Sequence, residues 1–119
     1  MGKKAIRLFV CLNIDEDRFD QFKRMVQAMA ESVESTEPNT LSYEWYTNTS
    51  EGKCYISEHY PDSESFLTHL DNVGAALGPL LEVAPLTELL VFGTPTDEAA
   101  EVLSGFGAKI FPYIAGFSR

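Results

Sequence analysis

Five segments of the chain alternate between apolar and polar residues, or are apolar almost throughout, and both patterns are typical of β-strands. In the first of them, Ile6, Leu8 and Val10 fall on one face, while Arg7 and Phe9 fall on the other. A strand with apolar residues on both faces is usually covered on both sides. The predicted strands span residues 5–14, 41–46, 54–60, 85–93 and 109–117.

Between the strands, apolar residues recur every three or four positions, which predicts amphipathic helices. The first helix follows the acidic run 15–17, which suits a helix N-terminus, and should end near Ser35, before Pro38. Its apolar stripe is Phe19, Phe22, Val26, Met29 and Val33. After Pro61, a second stripe is interrupted by Gly74, Gly78 and Pro79, so two short helices are predicted, at 63–72 and 74–82. The segment 94–98 begins a third helical region, which ends at Gly105 or Gly107.

The order of these elements predicts an α+β fold within one domain of 119 residues. Strand, helix, strand, strand, helix and strand are the order of a ferredoxin-like antiparallel sheet with helices on one face. A short helix and a last strand follow. Because the first and fourth strands are apolar on both faces, the face without helices should also be buried. We expect a second copy to cover it and form a homodimer, with the last strand available to reach across.

Composition and charge narrow the classes of partner. Nine basic residues against eighteen acidic ones leave a net charge of -9. Nucleic acid and anionic membrane surfaces are therefore not expected as partners, because phosphate binding needs clustered Lys and Arg. No apolar run approaches the ~20 residues of a membrane span. Two cysteines, Cys11 and Cys54, lie in predicted strands, and buried free thiols indicate a cytoplasmic protein.

Two ionisable residues are the candidates for proton transfer. Glu58 occupies an otherwise apolar strand face, where a carboxylate must find a partner such as His69 or Arg7. His69 borders the apolar stripe of the second helix and should point toward the sheet, where it could act as a proton shuttle. The alternatives are a structural ion pair for Glu58 and a hydrogen-bonded histidine at the edge of the core for His69.

Aromatic residues concentrate in the hairpin around Glu58. Tyr43, Trp45 and Tyr60 could form a wall for a flat ligand, although aromatic residues in strands are more often ordinary core. The length of the hairpin loop, predicted at 47–53, decides whether Glu44 shares the face of Glu58, since a slip of one residue reverses every side chain. The two histidines lie on different elements with no third ligand in pattern, so no metal site is predicted.

The same stretch resembles the antibiotic biosynthesis monooxygenase family of the dimeric α/β-barrel superfamily. The resemblance rests on the segment 42–46, on the run 58–63 followed by His69, and on the tail from Phe106 to Phe117. It implies a homodimer with a cavity in each subunit between helices and sheet. Some members of the family oxidise aromatic substrates with oxygen and without metal or flavin, and others degrade haem. Asn13, near the end of the first strand, is similar to an asparagine of the haem-degrading branch, but the helical Trp of that branch is missing.

These observations lead to one principal hypothesis and two alternatives. The principal hypothesis is a cofactor-independent monooxygenase that acts on a small aromatic or quinol-type substrate, with molecular oxygen as co-substrate. Glu58 and His69 would be catalytic. The predicted substrate-binding residues are Tyr43, Trp45, Tyr60, Phe66 and Asn13. The first alternative is a non-catalytic, small-ligand-binding or stress-associated homodimer, and the second is a haem-binding or haem-degrading relative.

Overall fold

A five-stranded sheet with three helices makes up the computed structural model, which describes residues 4–119. A single 3₁₀ turn (Glu16–Arg18) leads into the first helix, and Asp15 caps that turn by accepting from the backbone N–H of Asp17. The elements are β1 (Ile6–Asn13), α1 (Phe19–Thr36), β2 (Ser42–Asn48), β3 (Lys53–Tyr60), α2 (Ser63–Val83), β4 (Leu86–Phe92), α3 (Asp97–Gly105) and β5 (Lys109–Phe111).

The strands are arranged in the order β2-β3-β1-β4-β5. The first four pair in an antiparallel manner, and β5 adds to β4 in parallel, so the sheet is mixed. The predicted ferredoxin-like α+β fold is therefore confirmed, with one parallel edge strand added. Parallel pairing follows from the crossover through α3, because neighbouring parallel strands need such a connection.

All three helices contribute buried side chains to the core on one face of the sheet, which we call the inner face. It carries Ile6, Leu8 and Leu12 of β1, all at most 3% exposed. The core divides into two clusters of buried residues, one around Phe22 of α1 and one around Tyr60 and α3. Val10 and Leu86 touch both clusters. The division matters because the space between the clusters is incompletely filled.

The second helix runs without a break from Ser63 to Val83, so the prediction of two short helices was wrong. Gly74 and Gly78 face open space, and Pro79 lies inside the helix. A proline in a helix interior costs about 3 kcal/mol. Burial of Val73, Leu80 and Val83 offsets this cost, since each buried aliphatic side chain contributes about 1.5–3 kcal/mol.

The last strand is shorter than predicted. It comprises only Lys109–Phe111 and pairs with β4 of the same chain. Pro112 explains why pairing ends there, because proline has no backbone N–H to donate to the next rung of the sheet. Residues 112–119 form no regular secondary structure. The predicted strand over 109–117 was therefore wrong in length.

The hairpin register settles the open question about Glu44. Strand β2 continues to Asn48 and β3 begins at Lys53, so the loop is tighter than predicted. Tyr43 pairs with Glu58, whereas Glu44 pairs with Ser57. Directly paired residues share a face of an antiparallel sheet. Glu44 therefore lies on the outer face, away from the helices, and Glu58 lies on the inner face.

Candidate active site

A small cavity of about 80 Å³ lies on the inner face of the sheet. Its lining draws on both core clusters, for example Leu12 and Val73 from one, and Leu8 and Phe66 from the other. Apolar side chains dominate the lining. The exceptions are Tyr43, Trp45, Glu58 and His69. The cavity therefore has the composition of a ligand site, in which a few polar groups converge within an apolar pocket.

The hairpin delivers three of these four side chains. Tyr43 pairs with Glu58 and Trp45 pairs with Ile56, so Tyr43, Trp45 and Glu58 share the inner face. The Tyr43 and Trp45 rings meet edge to face with centroids 5.5 Å apart. The Trp45 ring also meets Phe22 of α1 in the same manner. The aromatic residues thus form part of the cavity lining and part of the core at once.

Helix α2 delivers the fourth side chain. Asp62 caps its start by accepting from the backbone N–H of Ser65 at 2.8 Å. With that start, Phe66 and His69 fall on the buried side, three residues apart. The His69 ring lies 5.0 Å from the Tyr43 ring and 5.4 Å from the Tyr60 ring, measured between centroids. His69 is therefore held by rings from both hairpin strands.

Glu58 is a buried carboxyl with two neighbours. The hydroxyl of Tyr60 donates to its Oε1 at 2.5 Å, and Nε2 of His69 lies 3.7 Å from the same oxygen. Burial raises the pKa of Glu58 above its ordinary value, although His69 and the Tyr60 hydrogen bond act in the opposite direction. Burial and the proximity of Glu58 also raise the pKa values of Tyr43 and Tyr60, so both phenols stay protonated. The protonated form of Glu58 is thus favoured.

On its other side, His69 contacts a residue that the sequence did not indicate. Glu37, just after α1, accepts from Nδ1 of His69 at 2.8 Å. It also accepts hydrogen bonds from Thr40 at 2.7 Å and Asn72 at 2.5 Å. Burial raises the pKa of Glu37, but the bonds from Asn72 and Thr40, together with the interaction with His69, outweigh it and hold the pKa below its ordinary value. Glu37 is therefore the ionised member of the group.

The two carboxyl groups consequently have different roles around one imidazole. An ionised carboxylate only accepts hydrogen bonds, so Nδ1 of His69 carries the proton that faces Glu37. In the neutral imidazole this leaves Nε2 with its lone pair on the side of Glu58 and the cavity. A carboxylate that orients a histidine in this way is the arrangement that supports general-base catalysis. The group Glu37–His69–Glu58 can therefore take up and return a proton.

The structure brings together six of the seven residues predicted for the site. Tyr60 lies beneath Glu58, fully buried, and contacts Phe66 and His69 by its ring rather than lining the cavity. Asn13 is exposed at the end of β1, where its backbone N–H donates to Pro85, and it does not line the cavity. Arg7, the other partner considered for Glu58, lies on the outer face because its neighbour Leu8 pairs with Glu58.

Glu37 was not predicted as a site residue, because nothing in the surrounding sequence indicates such a role. It follows an amphipathic helix and precedes a proline, a position where acidic residues are usually solvated. It meets His69 from 32 residues away, a contact that only the packing of α1 against α2 creates.

Among residues 4–119, no group of three or more His, Cys, Asp or Glu side chains has an arrangement that could hold a metal ion. In the same range, no helix has both the length and the apolar character needed to cross a bilayer.

Fold and site together define a class of protein: a ferredoxin-like α+β domain with a buried acid–base group beside an apolar cavity. The family model for antibiotic biosynthesis monooxygenase matches residues 6–75, which is more than half of the chain and includes the hairpin, Glu37 and His69. The chain belongs to this family. No protein of curated function matches it.

Solved structures agree with this assignment at the level of the fold. MupZ from Pseudomonas fluorescens superposes with a TM-score of 0.88 at 23% identity, over 98% of this chain and 95% of that one. Rv0793 from Mycobacterium tuberculosis gives 0.65 at 18% identity, over 80% and 98%. A conserved protein from Methanosarcina mazei Go1 gives 0.65 at 17% identity, over 75% and 91%. The MupZ similarity therefore extends through α3 and β5, beyond the segment that the family model matches.

Proposed function

We propose that this protein is a cofactor-independent monooxygenase that uses molecular oxygen to oxidise a small aromatic or quinol-type substrate. The observation that carries the proposal is the buried group Glu37–His69–Glu58 next to an apolar cavity with aromatic walls. Oxidation of an electron-rich ring by oxygen begins with removal of a proton, and this group supplies a positioned base. Membership in the family supports the same class of reaction.

The proposed reaction balances with oxygen as the only oxidant. Nε2 of His69 takes the hydroxyl proton of a hydroquinone, and the resulting anion is rich enough in electrons to reduce oxygen. A ring carbon beside the anionic oxygen forms a C–O bond to give a hydroperoxide. Cleavage of the O–O bond then releases water, which carries the ring hydrogen away as a proton. One oxygen atom stays on the product, a hydroxyquinone, and the other leaves in water.

The residues of the site have separate tasks in this scheme. Glu37 keeps the Nδ1 proton of His69 in place and stabilises the imidazolium that forms when Nε2 takes a proton. Glu58, whose pKa is raised by burial, holds a proton that it can donate to the departing oxygen. The apolar lining excludes water from the anion, which strengthens these interactions.

Oxygen consumption with a panel of quinols tests the proposal directly. We expect one oxygen consumed for each quinol, with no hydrogen peroxide, and one of the two atoms of labelled oxygen in the product. His69→Ala should lower the rate by ~10²–10⁴-fold, the usual contribution of a general base. His59→Ala is the matched control, because His59 lies on the outer face, opposite Ser42. If no quinol consumes oxygen faster with the protein than without it, the proposed reaction is wrong.

Ligand binding without turnover is the second candidate function, and it would use the same apolar cavity with its few converging polar groups. At about 80 Å³ the cavity is roughly half the ~150 Å³ of an engineered cavity that binds benzene, so a ring enters only if the walls move. Phe106, which is 38% exposed, lies at the edge of the lining and could move without disturbing the buried core. Saturable binding without oxygen uptake would support this candidate. The same small volume gives no support to the haem alternative.

We also propose that the protein is a homodimer in which the outer faces of two sheets pack together. Phe9 and Phe111 contact Phe92 with ring centroids 5.2 and 5.6 Å away, which forms an aromatic patch on this face. Tyr46 and Tyr55 lie on the same face and are 58% and 47% exposed. An exposed apolar patch of this kind usually marks an interaction site.

The mass of the protein in solution tests the dimer. Phe92→Lys should shift light-scattering mass toward the monomer, because it places a charge within the patch. Leu41→Lys is the control, since Leu41 is also exposed but precedes β2 on the side of the helices. A monomeric wild type, or a Phe92→Lys variant that remains dimeric, would contradict the proposal.

Cys11 and Cys54 are free and lie on opposite faces of the sheet, which supports a reducing, cytoplasmic location.

A further inference from the structure

A groove between α1 and α2 has no role in the reaction described so far. It has a volume of about 280 Å³ and is lined mainly by apolar side chains, among them Met25, Ala28 and Met29 of α1 and Val73 and Ala76 of α2. The proposed dimer packs through the outer face of the sheet, away from the helices. The groove therefore stays open to solvent in that dimer.

Two side chains belong both to this groove and to the cavity of the candidate active site. Met29 of α1 and Val73 of α2 line both spaces. Each is 6% exposed and belongs to the core cluster around Phe22. The groove and the cavity therefore share a wall. Met29 is the adaptable part of this wall, because methionine is unbranched and has three rotatable bonds.

Size and polarity decide what can cross the shared wall. An aromatic ring would have to displace both Met29 and Val73 from the core, whereas a diatomic molecule can pass when the Met29 side chain changes rotamer. Water and ions gain almost no hydrogen bonding from these side chains, so the wall opposes their passage. Phe106 also lines the cavity, is 38% exposed and lies outside both core clusters, so a ring enters more readily there.

We propose that dioxygen reaches the candidate active site through the groove between α1 and α2, past Met29 and Val73. This inference rests on the proposed function, because an oxygenase needs a route for oxygen to its buried site. Dioxygen is small and apolar, so it enters an apolar groove and crosses a wall that holds back water. A route separate from the opening beside Phe106 lets oxygen arrive after the organic substrate has filled that opening.

Xenon exchange tests this route without any turnover. Xenon is a small apolar atom that binds in apolar protein cavities, and saturation-transfer NMR measures how fast it moves between protein and solution. Ala76→Phe fills the groove from its exposed side and should slow the exchange by about tenfold, which corresponds to about 1.4 kcal/mol on the barrier. Ala28→Phe fills the same groove from α1 and should act alike. Ala75→Phe is the matched control, because Ala75 is also exposed on α2 but does not line the groove.

The methyl signals of Leu12 show whether a small apolar molecule is inside the cavity. Leu12 is 1% exposed and lines the cavity but not the groove. Xenon should shift these methyl signals in the wild-type protein. Dissolved oxygen, which is paramagnetic, should speed their relaxation more than that of equally buried methyl groups outside the lining, such as those of Leu103.

Each outcome of these measurements decides for or against the route. Unchanged xenon exchange in both Ala76→Phe and Ala28→Phe would overturn the inference, and so would equal slowing by Ala75→Phe. Leu12 methyl groups that neither xenon nor oxygen affects would also overturn it. Slower exchange in the groove variants, combined with no oxygen uptake for any quinol, would uphold the route and remove the proposed reaction.

Discussion

Replacement of Glu37 by Gln is the sharpest test of the charge arrangement in the buried site. One oxygen of Glu37 accepts from His69 and Thr40, and the other accepts from Asn72. Glutamine has the same shape, but its amide nitrogen faces the donor of Asn72. Asn72 cannot simply turn over, because its amide also donates to Thr36. The variant therefore loses about one hydrogen bond to a charged acceptor, and the free energy of unfolding should fall by about 2 kcal/mol at pH 7.

The free energy of unfolding that Glu37→Gln loses should be larger at neutral pH than at acidic pH. The pKa of Glu37 is lower in the folded protein than its ordinary value of 4.5. The carboxylate therefore contributes stability that is fully present above that ordinary value and is lost as the pH falls through the folded value. The difference between wild type and Glu37→Gln should be largest at pH 6–7 and should shrink below about pH 4.

Replacement of Glu58 by Gln is the matched comparison, and its effect on stability relative to wild type should have the opposite sign. Burial raises the pKa of Glu58, so above pH 4.5 the folded protein retains a proton that the unfolded chain has released. Wild-type stability therefore falls as the pH rises from 4.5 toward the raised folded value, and a neutral glutamine side chain at this position avoids this fall. Glu58→Gln should be more stable than wild type at pH 7, and this advantage should disappear near pH 4.

Urea unfolding at pH 3, 4, 5, 6 and 7, followed by the fluorescence of Trp45, measures the stability of both variants. Two protein concentrations serve as a control, because dimer formation would make stability depend on concentration. A similar dependence on urea concentration in all three proteins would show that the midpoints report stability. The assigned charges are wrong if Glu37→Gln loses the same free energy at pH 3 as at pH 7, or if the stabilities of both variants relative to wild type change in the same direction with pH.

Two further predictions concern the scaffold. Gly93 has φ of +126°, and an added Cβ would lie 2.7 Å from the carbonyl oxygen of Ala5, so Gly93→Ala should destabilise the protein by more than about 1 kcal/mol. Gly74→Ala, in open space within α2, should instead stabilise it by about 0.5–1 kcal/mol. Thermal unfolding of both variants checks this pair, and two equal shifts would contradict it. Thr96 caps α3, because its side-chain oxygen accepts a hydrogen bond from the backbone N–H of Ala99. Thr96→Ala should therefore lower the free energy of unfolding in urea by about 1 kcal/mol, and Thr96→Ser should lower it much less. Equal losses in the two variants would rule out the cap as the cause.

The hydrophobic pattern was sufficient to predict the type and order of nearly every element. Alternation in the first strand and the three-to-four spacing in the first helix each reflect burial of one face, and burial is the largest favourable term in folding. The pattern was less reliable where a local rule opposed tertiary packing. Gly74, Gly78 and Pro79 disfavour a helix locally, yet the buried side chains on both sides of them keep α2 continuous.

Some features of the candidate site could likewise be predicted from the sequence, whereas others required the folded structure. The sequence was enough to predict that Tyr43 and Trp45 share a face of β2 and that Glu58 and Tyr60 share a face of β3, because side chains alternate strictly along a strand. The apolar stripe of the second helix likewise predicted that His69 faces the sheet. The sequence did not show that these faces of β2 and β3 coincide, because the loop length sets the register and is known only from the folded hairpin. The tertiary structure also decided that Glu37 meets His69, since no local pattern encodes a contact across 32 residues. The indole N–H of Trp45 is buried without a hydrogen-bond partner within residues 4–119, and a missing partner can be recognised only when every neighbour has been placed.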